Sequence, residues 1–131
     1  MASGGPIYEV SVSVPAAADA SYSLYMRQTH IPAILATGRF SRITMCAAQD
    51  AALGLAEDPS WVHYKTSYIA VSADALAAYL AQDAPALRAD FMAHCPAEAR
   101  ISRRVWGVCE EWAQGGGATT EGGVSPGRSG R

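Results

Sequence analysis

Glu9, His63 and Lys65 are the residues of this 131-residue chain whose side chains could do chemistry together. Residues 7–14 alternate between apolar and polar types, which is typical of a β-strand and places Glu9, Ser11 and Ser13 on one face. Residues 61–70 are rich in aromatic and β-branched side chains, and they predict another strand whose polar face carries His63, Lys65 and Ser67. If these strands are neighbours, an acid, an imidazole and an ammonium share one face of a sheet.

That cluster admits two interpretations. A carboxylate favours the cationic form of a nearby imidazole, so Glu9 and His63 could form a proton-transfer pair in a ligand pocket. The same residues could instead form a cross-strand ion pair inside an interface. We take Glu9, His63 and Lys65 as candidate ligand-binding residues and assign no catalytic residue.

His30, Pro32, Thr37 and Gly38 predict a structural joint between a helix and a strand. Proline suits the first turn of a helical segment but breaks a helix interior, so a helix that arrives at His30 is expected to kink there. Gly38 can adopt the left-handed conformation that closes a helix, and a strand is predicted directly after it.

Cysteines and histidines are too scattered to predict a metal centre. No C-x-x-C pair and no short-spaced histidine pair exists among Cys46, Cys95, Cys109, His30, His63 and His94. His94 and Cys95 are adjacent, so they cannot face each other as a base and a nucleophile. We therefore expect no metal and no cofactor, with a single exposed histidine as a haem ligand left as an alternative.

Composition narrows the classes of partner. The net charge is −2, and the basic cluster at Arg100, Arg103 and Arg104 is interpreted as solvated charge at the start of a strand, so no nucleic acid is expected. The glycine-and-aromatic pattern of an RNA-recognition module is absent from the central strands. No apolar run approaches the roughly 18 residues that span a bilayer, and the N-terminus lacks a signal-peptide pattern. The sequence thus predicts a cytoplasmic protein that does not enter membranes.

The order of elements predicts the fold class. Strands at 7–14, 40–47, 61–70 and 101–112 enclose helices at 16–30 and from Ser72 towards Phe91, and the first helix has a core stripe of Tyr22, Tyr25, Met26 and Thr29. This βαββαβ order is typical of an α+β ferredoxin-like plait, with two helices on one face of a four-stranded antiparallel sheet. Residues 7–112 form the predicted domain, between a flexible N-terminus (1–6) and a disordered glycine-rich tail (113–131). The uncovered sheet face favours a homodimer.

Three segments carry a resemblance to a known family. They are residues 8–12, residues 30–40 with their Ile-Pro and Thr-Gly motifs, and residues 72–79 followed by Ala84-Pro85-Ala86-Leu87-Arg88. Together they resemble an uncharacterised family of domains of unknown function, over about residues 7–112. That family is similar in fold to the dimeric α/β-barrel proteins, which implies protomers that pair through their sheets, with no activity established for the family.

Two classes of function follow. The first is a small dimeric domain that binds a ligand or a protein without catalysis. The alternative, which rests on likeness of fold, is a cofactor-free monooxygenase, an isomerase or a haem-processing enzyme. A solvent-filled pocket around Glu9, His63 and Lys65 would favour the enzyme, and a dry interface would favour the binding protein.

Overall fold

The protein, represented by a computed structural model, is described over residues 5–55, 58–107, 109–115 and 117–119. The strands are β1 (Ile7–Pro15), β2 (Phe40–Ala47), β3 (Trp61–Ala70), β4 (Arg100–Trp106), β5 (Glu111–Ala113) and β6 (Gly117–Thr119). The α-helices are α1 (Asp19–Tyr25), α2 (Ile31–Leu35), α3 (Ala73–Ala78) and α4 (Ala84–His94), with a π-helix at Met26–His30 and another at Tyr79–Asp83. No helix of these residues is long and apolar enough to cross a bilayer.

Four strands form one antiparallel sheet in the order β2-β3-β1-β4, so β1 and β3 lie at its centre. The predicted α+β class is confirmed. The inner face carries alternate residues of β1 and β3, and both helical segments pack against it in two clusters centred on Tyr8 and Tyr68 and on Val12 and Tyr64. The other face of the sheet, called the outer face below, has no helix packed on it among the described residues.

A π-helical turn precedes each proline of the helical layer. The Ile31 N–H donates to the Met26 carbonyl and the Ala84 N–H donates to the Tyr79 carbonyl, each five residues back. Pro32 and Pro85 follow directly, and their rings exclude the carbonyl that an α-helix would place four residues earlier. The wider turn makes room for the ring, so the predicted kink takes the form of a π turn.

The π turn also changes which residues are buried. The first helical segment buries positions four residues apart, at Tyr22, Met26, His30 and Ile34. An α-helix has 3.6 residues per turn, so this spacing would drift around the helix, and the wider turn offsets the drift. Thr29, which was predicted to belong to the core stripe, is exposed. His30 is buried instead.

The joint after α2 has the predicted left-handed glycine. Gly38 has φ 78°, and the Thr37 hydroxyl donates to the Ile34 carbonyl at 2.7 Å. Arg39 then reaches the second helical segment, where its Nε donates to Asp83 Oδ2 at 2.9 Å. The joint therefore ties the start of β2 to the second π turn.

The ends of the domain differ from the prediction. The strand predicted over 101–112 ends at Trp106, and β5 pairs with β6 in a separate hairpin, because Gly107 interrupts the run and Gly115, with φ 82°, supports a tight reversal. Part of the segment predicted as a disordered tail is thus the strand β6, while residues 120–131 lie outside the described residues. Gly5 and Pro6 are hydrogen-bonded to Ala70, and residues 1–4 of the predicted flexible N-terminus lie outside the described residues.

Candidate functional site

The outer face carries the three residues that the sequence predicted to work together. Ser13 lies opposite His63, Ser11 opposite Lys65, and Glu9 opposite Ser67. Glu9, His63 and Lys65 therefore lie on one face of the sheet, but each belongs to a different cross-strand pair. Their neighbours differ: His63 Nδ1 lies 2.6 Å from Ser13 Oγ, and Glu9 accepts a hydrogen bond from the Trp106 indole. The grouping on one face is therefore present, while a role in ligand binding stays a prediction.

Cations and tryptophans border this cluster. Arg104 lies opposite Glu9 and Arg100 lies opposite Ser13 on β4, and the Arg100 guanidinium stacks 3.9 Å from the centre of the Trp61 ring. At the paired positions of β1, β3 and β4, the outer face thus carries Lys65, two arginines and two tryptophans, together with one carboxylate, that of Glu9.

A cavity lies on the opposite, inner side of the sheet, between it and the helices. Most of its lining is buried, and its buried polar lining residues are Tyr8, Tyr22, His30, Thr66, Tyr68 and Tyr79. The volume of the cavity is about 20 Å³. A cavity needs about 10–15 Å³ to hold one water, so this cavity has room for one or two water-sized groups.

The Tyr22 hydroxyl is the most unusual group of this cavity wall. Tyr22 is 1% exposed, and its Oη is the one buried side-chain polar atom of the described residues that has no hydrogen-bond partner. Burial is the main cause that raises the pKa of Tyr22, so the group is a neutral phenol. An unpaired buried hydroxyl costs about 1–3 kcal/mol, which a bound molecule would recover.

His30 reaches the cavity from the π turn of the first helical segment. It is 7% exposed, and its ring packs 5.0 Å from Phe91 and 5.7 Å from Tyr25. Burial is the main cause that lowers the pKa of His30 to about 4; Asp90 opposes the change and the nearby Arg103 adds to it. His30 is therefore neutral at pH 7 and can donate through one ring nitrogen and accept through the other.

A hydrogen-bonded chain leads from His30 to the surface. The Tyr25 hydroxyl donates to Asp90 Oδ2 at 2.6 Å and lies 3.5 Å from His30 Nδ1. His94 stacks on Tyr25 with ring centres 4.4 Å apart and lies 2.9 Å from the Asp90 carbonyl through Nδ1. This arrangement fixes the imidazole of His30 and links it to an exposed carboxylate.

Two arginines mark the side on which the cavity reaches solvent. Arg88 and Arg103 are the exposed residues of the lining, and Arg88 donates to the Tyr8 hydroxyl at 2.9 Å. Arg103 pairs with Val10 in the sheet, which places it on the inner face, whereas Arg104 is on the outer face. No Asp or Glu belongs to the described lining, so the fixed charge of the cavity is positive.

The cysteines contribute no reactive pair. Cys46 and Cys109 are exposed, and burial raises the pKa of the half-buried Cys95 thiol. A raised pKa disfavours the thiolate nucleophile. In the part of the chain that is described, no group of three His, Cys, Asp or Glu side chains could hold a metal ion.

A family model covers the sheet, both helical segments and the cavity. The model described as Domain of unknown function (DUF4286) matches residues 6–106. The chain belongs to this family. The family assignment agrees with the resemblance seen in the sequence, and the match ends where β4 ends, before the β5–β6 hairpin of this DUF4286 member. No curated protein matches the chain.

Sequence reasoning missed most of the cavity of this DUF4286 domain. His30 was assigned to the joint because Pro32 follows it, and Arg103 was interpreted as solvated charge together with Arg100 and Arg104. The alternation of β4 contained a usable signal: Ile101, Arg103 and Val105 share one face, so an arginine lies between two apolar positions of the inner face. Tyr22 was correctly expected to be a core residue, but the spacing of apolar residues does not indicate whether its hydroxyl has a partner.

Proposed function

We propose that the protein binds a small ligand in the inner cavity, without assigned catalysis. The observation that carries this proposal is the unpartnered Tyr22 hydroxyl in the wall of a cavity that also holds His30 and Thr66. A cavity that served packing alone would be lined by apolar groups, and its polar atoms would be satisfied within the protein. Aromatic walls with a few polar groups are typical of small-molecule sites.

The proposed assembly is a homodimer of ferredoxin-like protomers, paired through their outer faces as in dimeric α/β-barrel proteins. Its support is the sheet face without a packed helix, which carries Trp61 and Trp106 beside polar residues. Two-fold pairing would cover these indoles and bring Glu9 of one copy near the cations of the other. In this arrangement Glu9, His63 and Lys65 line the space between the sheets, where they form an interface or a second ligand site.

Native mass spectrometry of the purified full chain tests both parts, because it reports the oligomeric state and any retained molecule together. We expect a dimer with a retained small molecule whose occupancy falls in Tyr22→Phe and is unchanged in His63→Ala. If the small molecule is lost in His63→Ala but retained in Tyr22→Phe, the ligand site lies on the outer face instead. A bare monomer at micromolar concentration would contradict both the ligand and the dimer.

One observation favours an enzyme as the second candidate. A neutral His30 held by Tyr25 and Asp90 has the protonation state of a general base at pH 7, which suits the isomerase among the enzyme classes implied by the resemblance. Incubation separates the candidates: a binding protein returns the retained molecule unchanged, and an isomerase converts it to a product of equal mass that is resolved by chromatography. Conversion that persists in His30→Phe would contradict this role of His30.

A further inference from the structure

We propose that the ligand of the inner cavity is a small carboxylic acid bound as its carboxylate, with Arg88, Arg103 and the Tyr22 hydroxyl as donors. This inference rests on the proposed function and names the chemical class of its ligand.

The charge of the cavity favours an anion. Arg88 and Arg103 are permanently cationic, and none of the described residues that line the cavity is acidic. His30 adds no charge at pH 7, because burial lowers its pKa to about 4. The planar fork of a guanidinium matches the two oxygens of a carboxylate, and such charge-assisted pairs are stronger than neutral ones.

The hydrogen-bonding groups favour an acceptor. Tyr22 is a buried neutral phenol with no partner in the protein, so its O–H is free to donate. Thr66, which is 1% exposed, carries a second hydroxyl. The single N–H of neutral His30, by contrast, faces the Tyr25 hydroxyl, which itself donates to Asp90. A carboxylate can accept from several of these donors at once, whereas an amine would compete with two arginines.

The size of the cavity limits the ligand. Its 20 Å³ of central space accepts one or two water-sized groups, which corresponds to the two oxygens of a carboxylate. The walls that remain are aromatic, formed by Tyr8, Tyr68, Tyr79 and Phe91. The apolar part of the acid must therefore be small, and a sugar or a nucleotide is too large for this space.

The test titrates the full-length protein with propanoate and benzoate, each beside its uncharged amide, at pH 7 and constant ionic strength. The readout is the NMR signal of the His30 ring, which is identified by its absence in His30→Phe. We expect each acid to shift this signal with a dissociation constant at least about tenfold below that of its amide, as a charged hydrogen bond requires. Inorganic phosphate, run as a third arm, is expected to bind more weakly than benzoate because it gains nothing from the aromatic walls.

Neighbouring arginines provide a matched pair of variants. Arg103→Gln is expected to weaken binding of the acids by about tenfold or more, while Arg104→Gln changes it by less than about twofold, because Arg104 projects from the other face of the same strand. Tyr22→Phe is expected to weaken binding of the acids several-fold, although it removes no charge from the protein. Since Tyr22→Phe deletes only one oxygen, it keeps the proposal falsifiable if Arg103→Gln does not fold.

Four other results would contradict one or both proposals. An amide that shifts His30 at the same concentration as its acid overturns the carboxylate class and leaves the proposed function standing. Phosphate that binds more tightly than benzoate overturns the carboxylate class in favour of an inorganic oxyanion. Equal losses in Arg103→Gln and Arg104→Gln reduce the effect to general surface charge and overturn the site. No shift with any probe overturns the cavity as a ligand site, and both proposals fall.

Discussion

Tyr22 and Tyr64 form a natural pair for measuring what a buried hydroxyl contributes. Their rings pack with centres 5.4 Å apart, but the Tyr64 hydroxyl donates to Asp19 whereas the Tyr22 hydroxyl has no partner. In the ligand-free protein, Tyr22→Phe should leave the free energy of unfolding unchanged or raise it by about 1 kcal/mol, because it removes an unsatisfied polar group. Tyr64→Phe should lower it by about 1 kcal/mol. Urea unfolding measures both, and a loss above about 1 kcal/mol in Tyr22→Phe would show that the hydroxyl is paired after all.

His30 predicts a pH dependence of stability. The folded protein holds the pKa of His30 at about 4, below the 6.5 of an unperturbed histidine, because burial disfavours the cation. Above pH 6.5 both states are neutral at this residue and its packing contributes in full. As the pH falls from 6.5 to 4 the unfolded state takes up the proton first, so stability declines, by a total on the order of 3 kcal/mol.

Urea midpoints measured between pH 4 and pH 7 reveal this decline. His30→Phe, which keeps a ring against Phe91, should flatten the profile over that window, while the exposed His63→Phe should leave it in place. An equal decline in wild type and His30→Phe would assign the pH dependence to other groups.

At the scale of elements, Gly38 tests whether the joint depends on backbone conformation. A Cβ built on Gly38 would meet nothing within 4 Å, so the cost of a side chain there comes from φ 78° alone. Gly38→Val should lower the free energy of unfolding by about 1–3 kcal/mol, since a β-branched residue resists that conformation. Gly107 also has open space around its Cα but no left-handed φ, so Gly107→Val should cost much less. Equal melting temperatures for the two variants would contradict the argument.

Elements were predictable where a local signal defined them. The strand β1, the Ser72 cap of α3 and the left-handed Gly38 follow from alternation, hydrogen-bonding chemistry and glycine's freedom, and all three are present. The π turns were not predicted, because Pro32 and Pro85 indicate an interruption but not which turn relieves it. That gap also explains the exposure of Thr29 and the burial of His30.

At the scale of the whole molecule, the cavity depends on contacts between residues far apart in the chain. His30, Thr66, Arg88 and Arg103 come from four elements, and only the packing of helices on the sheet brings them together. The sequence could predict the shared face of Glu9, His63 and Lys65 because neighbouring strands have a simple register. It could not predict that the cavity lies on the opposite side, since no spacing encodes how closely two layers pack.

The outer face gives the last prediction, on the charge dependence of the proposed dimer. Lys65, Arg100 and Arg104 share this face with Glu9, which is the one acidic residue in the strands β1–β4, so two copies meet with an excess of positive charge. Salt screens such repulsion, and association should therefore strengthen between about 0.05 and 0.5 M salt, opposite to the trend of an interface held by ion pairs. Lys65→Glu should lower the dimer dissociation constant at low salt by about threefold or more. Arg27→Glu makes the same change of charge on the exposed surface of the helical layer and should not strengthen the dimer. Sedimentation equilibrium measures all three proteins, and equal effects of the two variants, or monomers at both salt concentrations, would contradict pairing through this face.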